Sequence, residues 1–216
     1  VSDEMLVLME MGAVWALRKY CGEGIFLLHD TDGVGHIISR RMHMGHHLED
    51  VPWSARFPHL KESLEDNTPR GTLLACELTP PGEADDRWYV ARVLKSKTPK
   101  ALELQGESGY LAARVWDVGW WGGEQMIGER SFQHRSALVQ SAPHLSMATI
   151  LDHDDWASVD DLDDLRAMAL ELGWEGFVIV DPQGTMAPGF NFRGKPDRPS
   201  AESCKVKPEY EDDFVA

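Results

Sequence analysis

The run EGFVIVD (175–181) and, about twenty positions later, the segment SCKVKP (203–208) constrain this chain more than any other feature. Both are short runs of apolar or β-branched residues bounded by turn-forming ones, so both are expected to be strands. The first brings Glu175 to a strand start. The second carries Lys205 and Lys207 at i and i+2, which point to the same face of a strand. One carboxylate and two ammonium groups are then expected at the edge of one sheet, where both lysines can reach a single anionic ligand. The plainer reading is a solvated strand face for the lysines and an edge or solvent-facing position for the glutamate. A buried charge needs a partner, and two apolar strands each carrying a glutamate, Glu77 and Glu175, favour the functional reading.

The rest of the pattern is that of a mixed domain. Residues 4–9 and 13–20 read as strands interrupted at Gly12. IFLLH (25–29) and GHIIS (35–39) read as a hairpin across DTDG (30–33), where Asp-Gly is a strong turn signal. Residues 58–66 suit a short helix, 71–78 a buried strand, 97–106 a helix, 110–118 an apolar strand and 129–140 a helix. A further helix is expected after Ser158, whose early aspartates favour its positive end. Its apolar face is Leu162, Leu165, Met168, Ala169 and Leu172, and Gly173 ends it. This order of elements indicates an α+β domain with mainly antiparallel sheets and helices packed outside them.

Composition narrows the class. The 216 residues, 43% hydrophobic with eight Trp and seven Phe, can bury a sizeable core. No stretch approaches about 18 consecutive apolar residues, so no membrane partner is expected and an intracellular, cytoplasmic protein is. Cys21, Cys76 and Cys204 are widely spaced and form no CxxC, which favours reduced thiols over a disulfide framework or zinc site. The net charge of −15 argues against indiscriminate, tight binding to nucleic acid. The acid is concentrated in DHDDWASVDDLDD (152–164) and the tail EYEDD, which leaves Arg40-Arg41, Lys95 to Lys100 and Arg193 to Lys207 as local basic clusters.

In this order and spacing the motifs resemble those of the ATP-dependent DNA ligases, members of the lysyl-nucleotidyltransferase superfamily. SRRMH (39–43) resembles the segment after the first ligase signature. PHL (58–60) and GTLLACEL (71–78) resemble the stretch that ends in a carboxylate, here Glu77. ARVWDV (113–118) resembles the strand whose aromatic stacks on adenine, here Trp116, and ERSFQHR (129–135) resembles the Arg-bearing helix that follows. The resemblance implies an ATP-grasp-like nucleotidyltransferase fold of two antiparallel sheets with flanking helices. It implies ATP and Mg2+ as cofactors and a nicked nucleic acid, DNA ahead of RNA, as the partner of a monomer that works in repair or replication. It also implies that Met9, Glu77, Trp116, Glu175, Lys205 and Lys207 converge on one cleft, with Arg40 and Arg41 contacting phosphate. Core packing is the plain alternative for Trp116, and simple exposure the alternative for the two arginines.

Departures from the family pattern bear on activity. Aligning EMLVLMEMGAVWA (4–16) with the first signature, K-x-D-G, through Gly12 puts Met9 at the position of the nucleophilic lysine and Met11 at the aspartate. Val180 then stands at a further lysine position. A thioether has no amine with which to attack a phosphate, so activity is expected to be lost or reduced. The chain ends just after the second lysine motif, so residues 1–216 are expected to form a single domain without a C-terminal oligonucleotide-binding barrel. The competing reading is a non-catalytic module that binds a nucleotide or nucleic acid, or acts as a scaffold.

Other constellations carry less. The histidines of RMHMGHH (41–47) lack a carboxylate at ligand spacing, so no metal site is expected there. Residues 152–164 have Trp156 and Ala157 where a calcium loop needs an oxygen ligand and glycine. Neither GxGxxG nor GxxxxGK[ST] occurs.

Overall fold

The computed structural model describes residues 3–11, 13–39, 53–82, 86–142, 146–147, 150–151, 162–185 and 203–207. The chain is α+β and divides into two compact units, each with its own sheet. The first comprises residues 1–20, 149–182 and 188–216, the second residues 21–148 and 183–187. Among the described residues, no helix is long and apolar enough to cross a membrane.

The first unit is a four-stranded antiparallel sheet in the order β10-β9-β1-β8. Its strands are β1 (Trp15–Arg18), β8 (Ile150–Leu151), β9 (Phe177–Val180) and β10 (Ser203–Val206). Val14 and Ala16, with Phe177, Ile179 and Val206, form a core into which α6 (Leu162–Glu171) inserts Leu165 and Ala169. All of these are essentially inaccessible to solvent. Leu165→Ala would therefore cost about 2–5 kcal/mol, from lost burial plus the cavity left behind. Gly173 ends α6 as expected, with φ of 65°. Trp174 N donates to Ala169 O and Gly173 N to Leu170 O, the paired hydrogen bonds of a Schellman cap.

One expectation fails here. Residues 4–9 are not a strand: Asp3–Glu10 is a helix, α1. Its sequence, DEMLVLME, contains a single β-branched residue, and Met, Leu and Glu all rank high as helix formers. Leu8 and Met9 pack against the core of the first unit, while Met11 is 71% exposed. Strand β1 begins only at Trp15.

The second unit is built on the sheet β3-β2-β4-β5-β6, with β7 added beside β5 as the sole parallel pair among the described strands. Strands β2 (Glu23–His29) and β3 (Gly35–Ser39) form the expected hairpin. Its turn is fastened by Asp30, whose Oδ1 accepts from the backbone N–H of Asp32 and Val34. Strands β4 (Thr72–Thr79), β5 (Ala112–Trp121), β6 (Glu124–Gln125) and β7 (Ser146–Met147) complete it. Ile25, Leu27, Ile37, Leu74, Cys76, Leu78, Val115 and Val118 line its core face, with Phe57 and Leu64 packed among them.

Helices α2 (Pro58–Asn67), α4 (Thr98–Ser108) and α5 (Phe132–Ser141) lie where the sequence pattern puts them. Helix α3 (Arg87–Lys95) has no counterpart in that reading. Its Tyr and Val residues have strand propensity, and tertiary packing overrides it. Asp86 Oδ1 caps Tyr89 N at 3.0 Å, Val90 and Val93 are buried, and the Tyr89 hydroxyl donates to the carbonyls of Leu104 and Gly109.

Candidate functional site

In the first unit the chemistry gathers where three adjacent strands reach the same end of the sheet. Strand β9 is central, and Arg18 of β1 and Val206 of β10 pair with Phe177 from either side. One step further, Lys19 N donates to Gly176 O at 2.8 Å. Lys19 and Lys207 thus flank the Glu175-Gly176 link. Lys19 Nζ lies 2.5 Å from Glu175 Oε2, and Lys207 Nζ donates to Glu175 Oε1 at 2.8 Å. Glu175 thus touches one lysine of the second motif, Lys207, and a second lysine, Lys19, that is not among the candidate site residues read from the sequence.

Gly176 is required for that approach. Its φ is +137°, and a Cβ would stand 2.1 Å from Val206 O. No other residue would let β10 come close enough to bring Lys207 to the carboxylate. Lys205 pairs with Val178, which pairs in turn with Leu17. Lys205 is therefore one row inward of Lys207 on the same face, and it is exposed. Val180, the position expected to have lost a lysine, is buried in the sheet.

The electrostatics of Glu175 follow from this geometry. Burial pushes its carboxyl up, but the hydrogen bonds and charges of Lys19 and Lys207 outweigh burial and hold it below the ordinary glutamate range. The cluster sets two basic side chains against one carboxylate, an excess of donors that suits phosphate.

Lys19-Tyr20-Cys21-Gly22 contains the lysine and glycine of K-x-D-G, with Cys21 at the aspartate. Met9, by contrast, sits on α1 against the core, six residues before β1 starts.

The second unit holds Glu77 and Trp116. A Cβ on Gly22 would stand 2.1 Å from Leu78 O and 3.0 Å from Glu77 Cγ, so the residue just before β2 lies close against β4. Glu77 pairs with Gly24 on one side and Arg114 on the other, on the face away from the core, and is half-buried. Trp116 is skipped in the ladder: Ala75 pairs with Asp117 and Cys76 with Val115. It is the extra residue of a β-bulge, a device that re-aims a side chain. Trp116 is half-buried and is not among the residues of the described core.

Beside it, Asp117 and Arg135 are both fully buried. Arg135 Nε donates to Asp117 Oδ1 at 2.6 Å and Nη2 to Oδ2 at 3.1 Å. Its Nη1 donates to the carbonyls of Arg130 and Thr185. Burial pushes the Asp117 carboxyl up, opposed by Arg135 and by the Val118 N–H. The arginine of the expected Arg-bearing helix thus locks α5 to β5. Arg40 and Arg41 lie outside the described residues, as do the histidines of 41–47 and the acidic stretch 152–161.

No protein-family model and no curated protein matches the sequence. Solved structures do match in fold. Mycobacterial DNA ligase D complexed with ATP and MES aligns with a TM-score of 0.57 at 18% identity, over 90% of this chain and 54% of that one. The ligase domain of M. tuberculosis LigD aligns with a TM-score of 0.55 at 18% identity, over 90% and 55%. A Lig E DNA ligase described as binding DNA with a minimal scaffold gives 0.56 at 15%, over 92% and 63%. The chain thus spans little more than half the length of the first two. On the element order, the two antiparallel sheets and these alignments, the chain has the fold of the nucleotidyltransferase domain of ATP-dependent DNA ligases.

Proposed function

We propose that this chain is a nucleotidyltransferase of the ATP-dependent DNA ligase kind, and that Lys19 rather than Met9 is its nucleophile. The cluster of Lys19, Glu175 and Lys207 carries the reading. It supplies an amine, a second cation for a phosphate and a carboxylate to hold both in place before substrate arrives.

The chemistry runs as follows. Lys19 first gives its ammonium proton to water, and the amine then attacks the α-phosphorus of ATP: an N–P bond forms, the bond to the bridging oxygen breaks and pyrophosphate leaves. The second proton, left on the nitrogen, passes to water as well. Lys207 and Lys205 offset charge on the phosphate as it builds. The incoming phosphates compete with Glu175 for the lysines and free its carboxylate to orient the nucleoside. Glu77 and Trp116 are proposed to hold the ribose and base, the indole by stacking. The adenylyl group then passes to the 5′-phosphate of nicked DNA, whose backbone Arg40 and Arg41 are proposed to contact. Among the described residues, no three side chains are grouped as a metal would need. Mg2+, the metal that the resemblance implies, binds through one or two carboxylates and the phosphates of a nucleotide.

Incubation with α-labelled ATP tests the reading. A label that survives denaturation, disappears in Lys19→Ala and persists in Met9→Ala is expected. Label lost in Met9→Ala but kept in Lys19→Ala would overturn it. Reversible nucleotide binding with no covalent label would favour the non-catalytic module.

A further inference from the structure

On the face of the first unit's sheet opposite Lys19, β1 ends in Arg18, which is only 4% exposed. Its guanidinium carbon lies 4.6 Å from the centre of the Tyr20 ring and 4.7 Å from that of Trp174. Trp174 also packs edge-on against Phe177 at 5.4 Å, and Phe177 is the cross-strand partner of Arg18. A guanidinium held between aromatic faces is well placed for cation–π attraction, and burial strengthens it.

The position of this cluster in the chain gives it a role. Arg18 immediately precedes Lys19, and Trp174 immediately precedes Glu175. Among the described residues, Glu175 has no ladder partner of its own. Its backbone is held on one side by Trp174, pinned in the cap of α6, and on the other by the Lys19 N–H to Gly176 O bond. We propose that Arg18 and Trp174, with Tyr20 closing the stack, form a positioning clamp that sets Lys19 against Glu175. This rests on Lys19 being the nucleophile. Neither residue touches substrate. They act through the two backbone segments they join, one face of the sheet setting the geometry of the other.

Two measurements on the full chain test the clamp. In the first, Trp174→Leu lowers the rate of covalent labelling by α-labelled ATP about 10- to 100-fold, the scale of a small misplacement of reacting groups, while ATP affinity stays near wild type. Trp174→Phe, which keeps a ring face, recovers most of that rate. Arg18→Met behaves like Trp174→Leu, and it decides the matter if the leucine variant does not fold. Wild-type rates in Trp174→Leu and Arg18→Met, or equal losses in the leucine and phenylalanine variants, would overturn the proposal.

The second measurement needs no ATP. Acetic anhydride modification read by mass spectrometry compares Lys19 with the surface residue Lys61. Loosening the Lys19–Glu175 pair in Trp174→Leu or Arg18→Met raises Lys19 acetylation relative to Lys61 severalfold. No change would sink the clamp. Absence of ATP label in the wild-type chain, with the acetylation change intact, would remove the nucleotidyltransfer reading and leave the clamp standing.

Discussion

Lys19 and Lys207 divide one carboxylate between them, at 2.5 Å from Oε2 and 2.8 Å from Oε1 of Glu175. They belong to segments nearly the whole chain apart, and only the antiparallel pairing of β1 and β10 on either side of β9 brings them together. Because the carboxyl is held below its ordinary value, its stabilising effect is fully present above the unfolded-state value, about 4.3. It is lost as pH falls through the lower folded value. Glu175→Gln should therefore destabilise the protein by about 1–2 kcal/mol at pH 7, with the more exposed Lys207 contributing the smaller share. The gap between wild type and variant should close in acid, as pH falls below the ordinary glutamate range. Urea titration at neutral and at acid pH is the check, and a gap that widens in acid would contradict the assignment.

Gly176→Ala probes the same point through the backbone. The new methyl would stand 2.1 Å from Val206 O, at a φ of +137° that L-residues rarely adopt. Either β10 moves away or Gly176 changes conformation, and both separate Lys207 from Glu175. A stability loss of about 2 kcal/mol or more is expected, together with loss of covalent labelling. The thermal midpoint and the label can be read on one preparation.

The pair of Asp117 and Arg135 sets a different expectation. Both side chains are inaccessible, and the guanidinium also holds the carbonyls of Arg130 and Thr185. Removing one partner leaves an uncompensated buried charge, which costs about 3–5 kcal/mol. Arg135→Ala and Asp117→Ala should each destabilise on that scale, and the double variant should lose less than the sum. Additive losses in urea melts would show that the two side chains act independently.

The sequence exposed most of the fold because strand pairs with clear turn signals fold as local rules dictate. The β2–β3 hairpin, the α6 cap at Gly173 and the paired motifs at Glu175 and Lys207 all follow that logic. What it hid was decided by tertiary context. DEMLVLME reads as apolar enough for a strand, yet packs as a helix through Leu8 and Met9. RWYVARVLK carries strand-forming residues and becomes α3 because Asp86 caps it and its buried stripe meets the core. A motif anchored on Gly12 puts Met9 at the nucleophile position, whereas the proposed nucleophile, Lys19, stands in a four-residue match broken only by Cys21. Arg18 could not have been read from sequence at all. A lysine-arginine neighbourhood at a strand end looks solvated until Trp174, some 150 residues later, is seen to cover it.

Trp116 provides the last test, and it separates nucleotide binding from folding. The indole is the extra residue of a bulge in β5, and it is not among the residues of the described core. A tryptophan that served packing alone would cost about 3–5 kcal/mol on truncation to alanine. One that serves as a stacking surface for a base would instead cost affinity, about 1–3 kcal/mol by the measure of base–aromatic contacts, or roughly tenfold or more in ATP dissociation constant. Trp116→Ala should therefore weaken ATP binding by about that factor while lowering stability by about 1 kcal/mol or less, and Trp116→Phe should recover most of the affinity. Equilibrium binding of ATP and urea denaturation on the same variants decide between the two. A large stability loss with unchanged affinity would return Trp116 to the core and remove it from the nucleotide site.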